Sequence, residues 1–283
     1  MGRGSGDDGR GRLGLRFGIA AVVCGTALVA AAAERGGEDL CRFSRTITGS
    51  VAAIVDGDTL RLADGTLVRL AAVEAPGDPA PAVGDRAPAE AAASFLGDAA
   101  LGRPVVLSPL AKDRYGRLRA DVHLADGRWL QAELVAAGLA RVRPGFGESG
   151  CARLLLAIEA GARRRNRGIW ASPAFAVKTA DDPSLLARSG LYEVVEGRVV
   201  SVARGLRLAF IDFGRDFRRD FTVMVPNAIV ADWAAAGMPL EGLRGRRVRV
   251  RGLVEESGGP AIRLADSIEL ELVDESGAGG DGE

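Results

Sequence analysis

At 283 residues the chain is long enough for two modest domains, each burying a core of its own. Hydrophobic residues make up 47% and charged residues 26%, which excludes a disordered or fibrous chain; 37 basic against 37 acidic residues exclude a polybasic polyanion binder. Any anion site must therefore come from a local cluster of arginines, the cations being almost all Arg, with Lys112 and Lys178 the only lysines.

Arg3, Arg10, Arg12 and Arg16 precede an apolar run over residues 17–33 that ends in Ala31-Ala32-Ala33. A basic start, a short apolar core and small residues at a cut site describe a secretory signal peptide, or an uncleaved membrane anchor. Export implies a periplasmic or secreted protein, anchoring an inner-membrane one. Without this segment two cysteines remain, Cys41 and Cys151. In an oxidising compartment they form a disulfide closing a loop of about 110 residues, worth about 4 kcal/mol on a chain-entropy model, or else stay apart as two buried thiols.

After a polar spacer, residues 46–55 and 59–62 read as paired strands joined at Asp56-Gly57-Asp58, and 67–73 as a third. The proline-rich stretch 76–88 is a loop and 88–100 an alanine-rich helix with Pro88 in its first turn. Strands follow at 105–107 and 118–123, then helices at 129–137 and 151–165. A Pro-, Asp- and Ser-rich linker covers 173–189. Strands at 192–202, 206–213 and 221–226, a helix at 229–236, and strands at 246–253, 261–264 and 268–273 complete the pattern. Residues 275–283 are a Gly- and acid-rich disordered tail. The fold class is α+β, mainly β: an OB-type five-stranded barrel with packed helices over 42–172, then a second small OB-like barrel over 190–274. In the second, Gly245-Arg246-Arg247-Val248-Arg249-Val250-Arg251-Gly252 predicts one apolar and one cationic face.

Four segments stand out in the first half: Val55-Asp56-Gly57-Asp58-Thr59-Leu60, Val68-Arg69-Leu70-Ala71-Ala72-Val73-Glu74-Ala75-Pro76, Asp113-Arg114-Tyr115-Gly116-Arg117, and Glu159 through Asn166-Arg167-Gly168-Ile169-Trp170. Each alone is turn or packing chemistry. In this order they resemble the staphylococcal nuclease (thermonuclease) family, whose members cut nucleic acids with calcium. The resemblance implies Asp58, Glu74 and the Ala75 carbonyl as Ca²⁺ ligands, with Asp56 beside them as a further acid. It implies Arg69 and Arg117 as the arginines that bind phosphate and take up charge as it develops, and Tyr115 as an aromatic near the nucleotide. Glu74 stands where the family has an aspartate, one methylene shorter. Where the family carries its proposed general-base glutamate this chain has Gly77, and Asp78 is the first candidate substitute, with Glu90 or Asp85 as alternatives reaching back from the following segment.

The function implied is hydrolysis of DNA or RNA phosphodiesters by an exported, calcium-dependent enzyme. Two alternatives stay open: a nucleic-acid binder that has lost water activation, and an envelope scaffold whose barrels meet other proteins. His123, without a histidine or cysteine cluster near it, reads as structural. Trp129, Trp170 and Trp233 read as core. In the second region Arg218 and Arg219, among Phe213, Phe217 and Phe221, are candidate contacts for a single strand, although Asp212, Asp216 and Asp220 interleave with them.

Overall fold

Apolar side chains at alternate positions of five strands point inward and close the first half of the chain into a barrel. The computed structural model describes residues 46–77, 86–144, 149–216 and 218–273. The N-terminal targeting segment, Cys41, Asp78, Phe217 and the 275–283 tail lie outside the described residues, and with Cys41 so does its pairing with the buried Cys151. Among the described residues no helix is long and apolar enough to cross a membrane.

In chain order the first half contains β1 (Ile47–Asp56), β2 (Thr59–Leu62), β3 (Leu67–Leu70), β4 (Val73–Glu74), α1 (Ala87–Ala100), β5 (Pro104–Lys112), β6 (Leu118–Leu124), α2 (Leu130–Ala136), β7 (Arg141–Val142) and α3 (Ser149–Arg164). The barrel order is β1-β2-β3-β6-β5, closed by antiparallel pairing of β5 with β1, and β3 lies parallel to β6. This is the OB-type barrel expected from the sequence. Val51, Leu60, Leu62, Val68, Leu70, Leu107 and Val122 fill it, each large aliphatic contributing roughly 1.5–3 kcal/mol by leaving water. Pro88 sits in the first turn of α1, whose Ala92, Leu96 and Ala100 pack on the same core; Ala152, Leu155 and Leu156 of α3 join them.

The strand expected over 67–73 is broken. Ala71 and Ala72 form a turn, with Ala72 in the left-handed region at φ 57°, and the chain resumes as β4, which pairs with β7 rather than with the barrel. Glu74 thereby leaves the barrel wall and stands opposite Arg141 on β7.

The stretch 173–189 is packed, not extended away: Phe175 and Leu185 are buried, and β8 (Lys178–Thr179) pairs with β9 (Tyr192–Arg198). Then follow β10 (Ser201–Arg204), β11 (Leu208–Asp212), β12 (Thr222–Pro226), α4 (Asn227–Ala235), β13 (Arg247–Ser257), β14 (Gly259–Arg263) and β15 (Leu270–Leu272). The sheet order is β10-β11-β12-β14-β13-β9-β8, with β15 on β13 and β12 parallel to β14. The strand expected over 192–202 bends at Val199-Val200. The Val199 amide still bonds Arg246 beside β13, while the Val200 amide bonds Asp212 of β11, so one bent strand serves both ends of the sheet. Val195, Ile211, Val223, Trp233, Val248 and Ile262 form this second core.

Only part of the cationic face expected on β13 meets water: Arg247 is exposed and Arg249 half-buried. Arg251 is fully buried and pairs with Glu159 of α3 (3.0 Å) and Glu271 of β15 (2.6 Å), while Arg247 and Arg249 both pair with Glu196 of β9. Glu159 is also fully buried and holds Arg163 at 2.8 Å. Ile268 enters the first core, and Val194 joins Ala162, Ile169, Trp170 and Phe175 in a small apolar cluster between the two β-regions. Removing one member of such a buried pair strands the other charge, at a cost of about 3–5 kcal/mol. Arg251→Ala is therefore expected to lower the urea midpoint of a single shared transition, followed by circular dichroism and tryptophan fluorescence. Two separate wild-type transitions would show that the network does not couple the regions.

Candidate active-site cleft

The turn between β1 and β2 brings two acids to the mouth of the barrel. Asp56 Oδ1 accepts the Asp58 amide at 2.9 Å, which curls the turn and aims Asp58 inward. Gly57 is required by close approach: a Cβ there would stand 2.7 Å from the Cβ atoms of both Ala75 and Ala92. Asp58 is buried; its Oδ2 accepts the Ala75 amide at 2.9 Å and pairs with Arg69 at 2.7 Å, and its Oδ1 accepts the Thr59 hydroxyl at 3.2 Å. One carboxylate thus ties the first turn to β3 and to the residue that follows β4.

Burial pushes the Asp58 carboxyl up to about 7, the neighbouring Asp56 charge adding to it; the Arg69 guanidinium pulls the other way and is outweighed. Asp56 behaves oppositely. Burial raises it, but hydrogen bonds from Asp58 and Thr59 and the charge of Arg69 leave it below the ordinary carboxylate value. The two acids are therefore driven apart, one ionised and one ready to hold a proton near neutrality.

Arg69 also donates to the Val73 carbonyl at 3.1 Å, so its guanidinium is fixed between Asp58 and the β3–β4 turn. Arg117 comes from the β5–β6 hairpin, where Asp113 organises the turn: its Oδ1 accepts the Tyr115 and Arg117 amides and its Oδ2 the Arg117 Nε, at 2.9, 3.0 and 2.7 Å. Arg117 Nη1 reaches the Thr59 hydroxyl at 3.4 Å, joining it through Thr59 to Asp58. Tyr115 is 68% exposed, with the Arg114 and Arg117 guanidinium carbons 5.0 and 5.4 Å from its ring centre.

Asp56, Asp58, Arg69, Glu74, Ala75, Gly77, Tyr115 and Arg117 all line one cleft of about 710 Å³. Arg218 and Arg219 do not; they lie in the turn before β12, organised by Asp216 and Asp220. Asp78 and Asp85 are outside the described residues, and Glu90 lines the cleft. Sequence reasoning missed Arg143, which pairs with Glu74, and the far wall of the cleft, built by Leu191, Tyr192, Glu193 and Leu253 of the second region. The only hint was Arg141-Val142-Arg143, an alternation too short to read as a strand. His123 stacks on Trp129, with ring centres 6.0 Å apart, in keeping with a structural role.

The donors fit a hard cation in kind: carboxylates of Asp58 and Glu74 and the carbonyl of Ala75, on one side of the cleft. They do not form a closed cage, since among the described residues no three acidic, histidine or cysteine side chains come together. A cation held here keeps several water or substrate oxygens.

A closed barrel with paired acids and guanidinium groups at its mouth defines an OB-type domain with a charged cleft. Residues 67–172 match the model of the staphylococcal nuclease homologue family, and over this span the chain carries a thermonuclease-like domain. The family points to nuclease-type function and to nucleic acid as the substrate class. No curated protein matches the chain.

Asp121, buried inside β6, is likewise pushed up to about 7 by burial, with a Trp129 hydrogen bond opposing. Because the folded value lies above the ordinary 3.8, the folded state keeps a proton that the unfolded chain releases. This stabilisation is complete below about pH 4 and is lost as pH rises through about 7. Asp121→Asn is expected to flatten the fall in stability between these limits and to be more stable than wild type at about pH 8, by on the order of 2 kcal/mol, in urea titrations at stepped pH. An unchanged pH profile would contradict it.

Proposed function

We propose that the chain is an exported nuclease-type phosphodiesterase that acts on DNA or RNA with calcium and turns over slowly. What supports this reading most is the convergence of Asp58, Arg69 and Arg117 from three strands and turns on one cleft of the thermonuclease-like domain. Asp58, Glu74 and the Ala75 carbonyl would hold the cation, with Asp56 behind. Bound calcium supplies charge neutralisation at a phosphate oxygen and a position for water.

The protein's own groups do the rest. Arg69 and Arg117 present planar N–H edges to the phosphate, and their hydrogen bonds strengthen as negative charge builds up on its oxygens. Their partners Asp58 and Asp113 hold them in place beforehand, which removes reorganisation from the barrier. Water activation is the weak point. Gly77 lines the cleft but carries no side chain, so nothing at that position orients or deprotonates the attacking water. That loss costs about 10²–10⁴-fold in rate. A second reading, binding without cleavage, draws on the same glycine and on the occupation of Asp58 by Arg69 and of Glu74 by Arg143.

The deciding assay incubates the purified mature chain with single-stranded DNA and RNA, in calcium and then in chelator. Slow cleavage that the chelator abolishes is the expected result. Arg69→Ala and Arg117→Ala should each lower kcat/KM by roughly 10²–10³-fold, and Gly77→Glu should raise kcat by about 10²-fold. Binding without product selects the second reading; no binding to either nucleic acid removes both.

A further inference from the structure

Arg143 takes no part in the reaction proposed above, yet it faces the same cleft. It follows β7 directly, its side chain is 38% exposed, and it pairs with Glu74. Its guanidinium carbon stands 5.1 Å from the centre of the Tyr192 ring, which belongs to β9 of the second region. The Tyr192 hydroxyl donates to the Val142 carbonyl at 3.2 Å, fixing the ring beside the residue that precedes Arg143. A guanidinium lying over an aromatic face keeps its N–H edge available for a second, planar partner. That edge now meets Glu74, and a phosphate is the same kind of acceptor.

We infer that Arg143 is a third phosphate-contacting residue, taking the phosphate of a neighbouring nucleotide of a single strand, and that Tyr192 is its positioning residue. The inference rests on the reading of the cleft as a nucleic-acid site. It gives the second region a task in substrate binding, because the ring that holds Arg143 comes from β9 while the arginine comes from the thermonuclease-like domain. Exchanging the Glu74 carboxylate for a phosphate costs little, since both pair members are about one-third exposed. Two further contacts hold β7 toward the second region: Arg141 donates to the carbonyls of Tyr192 and Phe175, the latter at 2.6 Å, and Arg251 donates to Val142 at 3.0 Å. Arg143 therefore leaves a fixed strand in a fixed direction.

The test measures binding of a fluorescent single-stranded DNA oligonucleotide to the full mature chain over a series of salt concentrations. Arg143→Ala is expected to weaken binding about tenfold and to reduce the slope of log affinity against log salt by about 0.7, the loss of one phosphate contact. Arg143→Lys should keep the slope while losing part of the affinity. Tyr192→Leu should weaken binding in the wild-type background and have no further effect beside Arg143→Ala; if the leucine variant does not fold, Tyr192→Phe, which removes the hydroxyl that fixes the ring, should weaken binding by a smaller factor and likewise have no effect beside Arg143→Ala. A purely structural Arg143 leaves the salt slope where it was, and a folded Arg143→Ala variant with an unchanged slope overturns the inference while leaving the cleft reading intact. A wild-type chain that does not bind the oligonucleotide overturns both.

Discussion

Arg251 and Glu159 are both shut away from water, and the arrangement around them decides where the cleft residues point. Glu159 Oε1 accepts the Val142 amide at 2.8 Å, and Arg251 donates to the Val142 carbonyl at 3.0 Å. Both backbone polar groups of that one residue are thus taken by a single ion pair. Two charges removed from water gain little net stability over a well-packed apolar pair, but their geometry tolerates few alternatives. Its effect is one of register. Val142 lies opposite Val73 and Arg141 opposite Glu74, so fixing β7 fixes β4, and β4 carries the acid that left the barrel wall. The cleft depends on a contact made on its far side.

Charge balance inside the cleft follows from that register. Among the described residues five acids, Asp56, Asp58, Glu74, Glu90 and Glu193, line the cleft together with five arginines, Arg69, Arg114, Arg117, Arg141 and Arg143. Asp58 and Glu74 each hold a guanidinium, and Asp56 is kept ionised by the turn it caps. A site so nearly neutral attracts a polyanion only through the exposed edges of its arginines, which agrees with a chain of zero net charge. A divalent cation, if held here as proposed, would add the positive charge that this balance leaves out.

Much of this was readable from the chain itself, where local rules decide. Asp-Gly-Asp between alternating apolar runs could only be a turn, and Pro88 ahead of an alanine run could only open a helix. Arg69 sits at a strand position whose facing is set by a period of two, and Arg117 closes the Asp113 turn just ahead of β6. What stayed hidden depends on distant partners. Nothing local distinguishes Arg251 from Arg247 or Arg249 on β13, yet one is buried at 0% and the others lie nearer water, because only Arg251 meets α3. The break at Ala71-Ala72 was equally invisible, since an alanine at φ 57° is held by its surroundings and not by its own preference. Arg143 was missed for the same reason: its partners Glu74 and Tyr192 are 69 and 49 positions away in the chain.

The two β-regions share part of a strand plan, an antiparallel run of three whose third strand pairs in parallel with a later one, β3 with β6 and β12 with β14. The chemistry is not repeated. Where the barrel has Asp56-Gly57-Asp58 between its first two strands, the second β-region has Gly205-Leu206-Arg207 between β10 and β11, without an acid, and Leu206 is fully exposed. A related strand arrangement therefore serves two purposes, set by a handful of side chains. In one it assembles a cleft; in the other it offers Tyr192, Glu193 and Leu253 to the cleft of its neighbour and anchors that neighbour through Arg251. Joined at a buried ion pair and lining the cleft of its neighbour, the second region is a wall of that cleft.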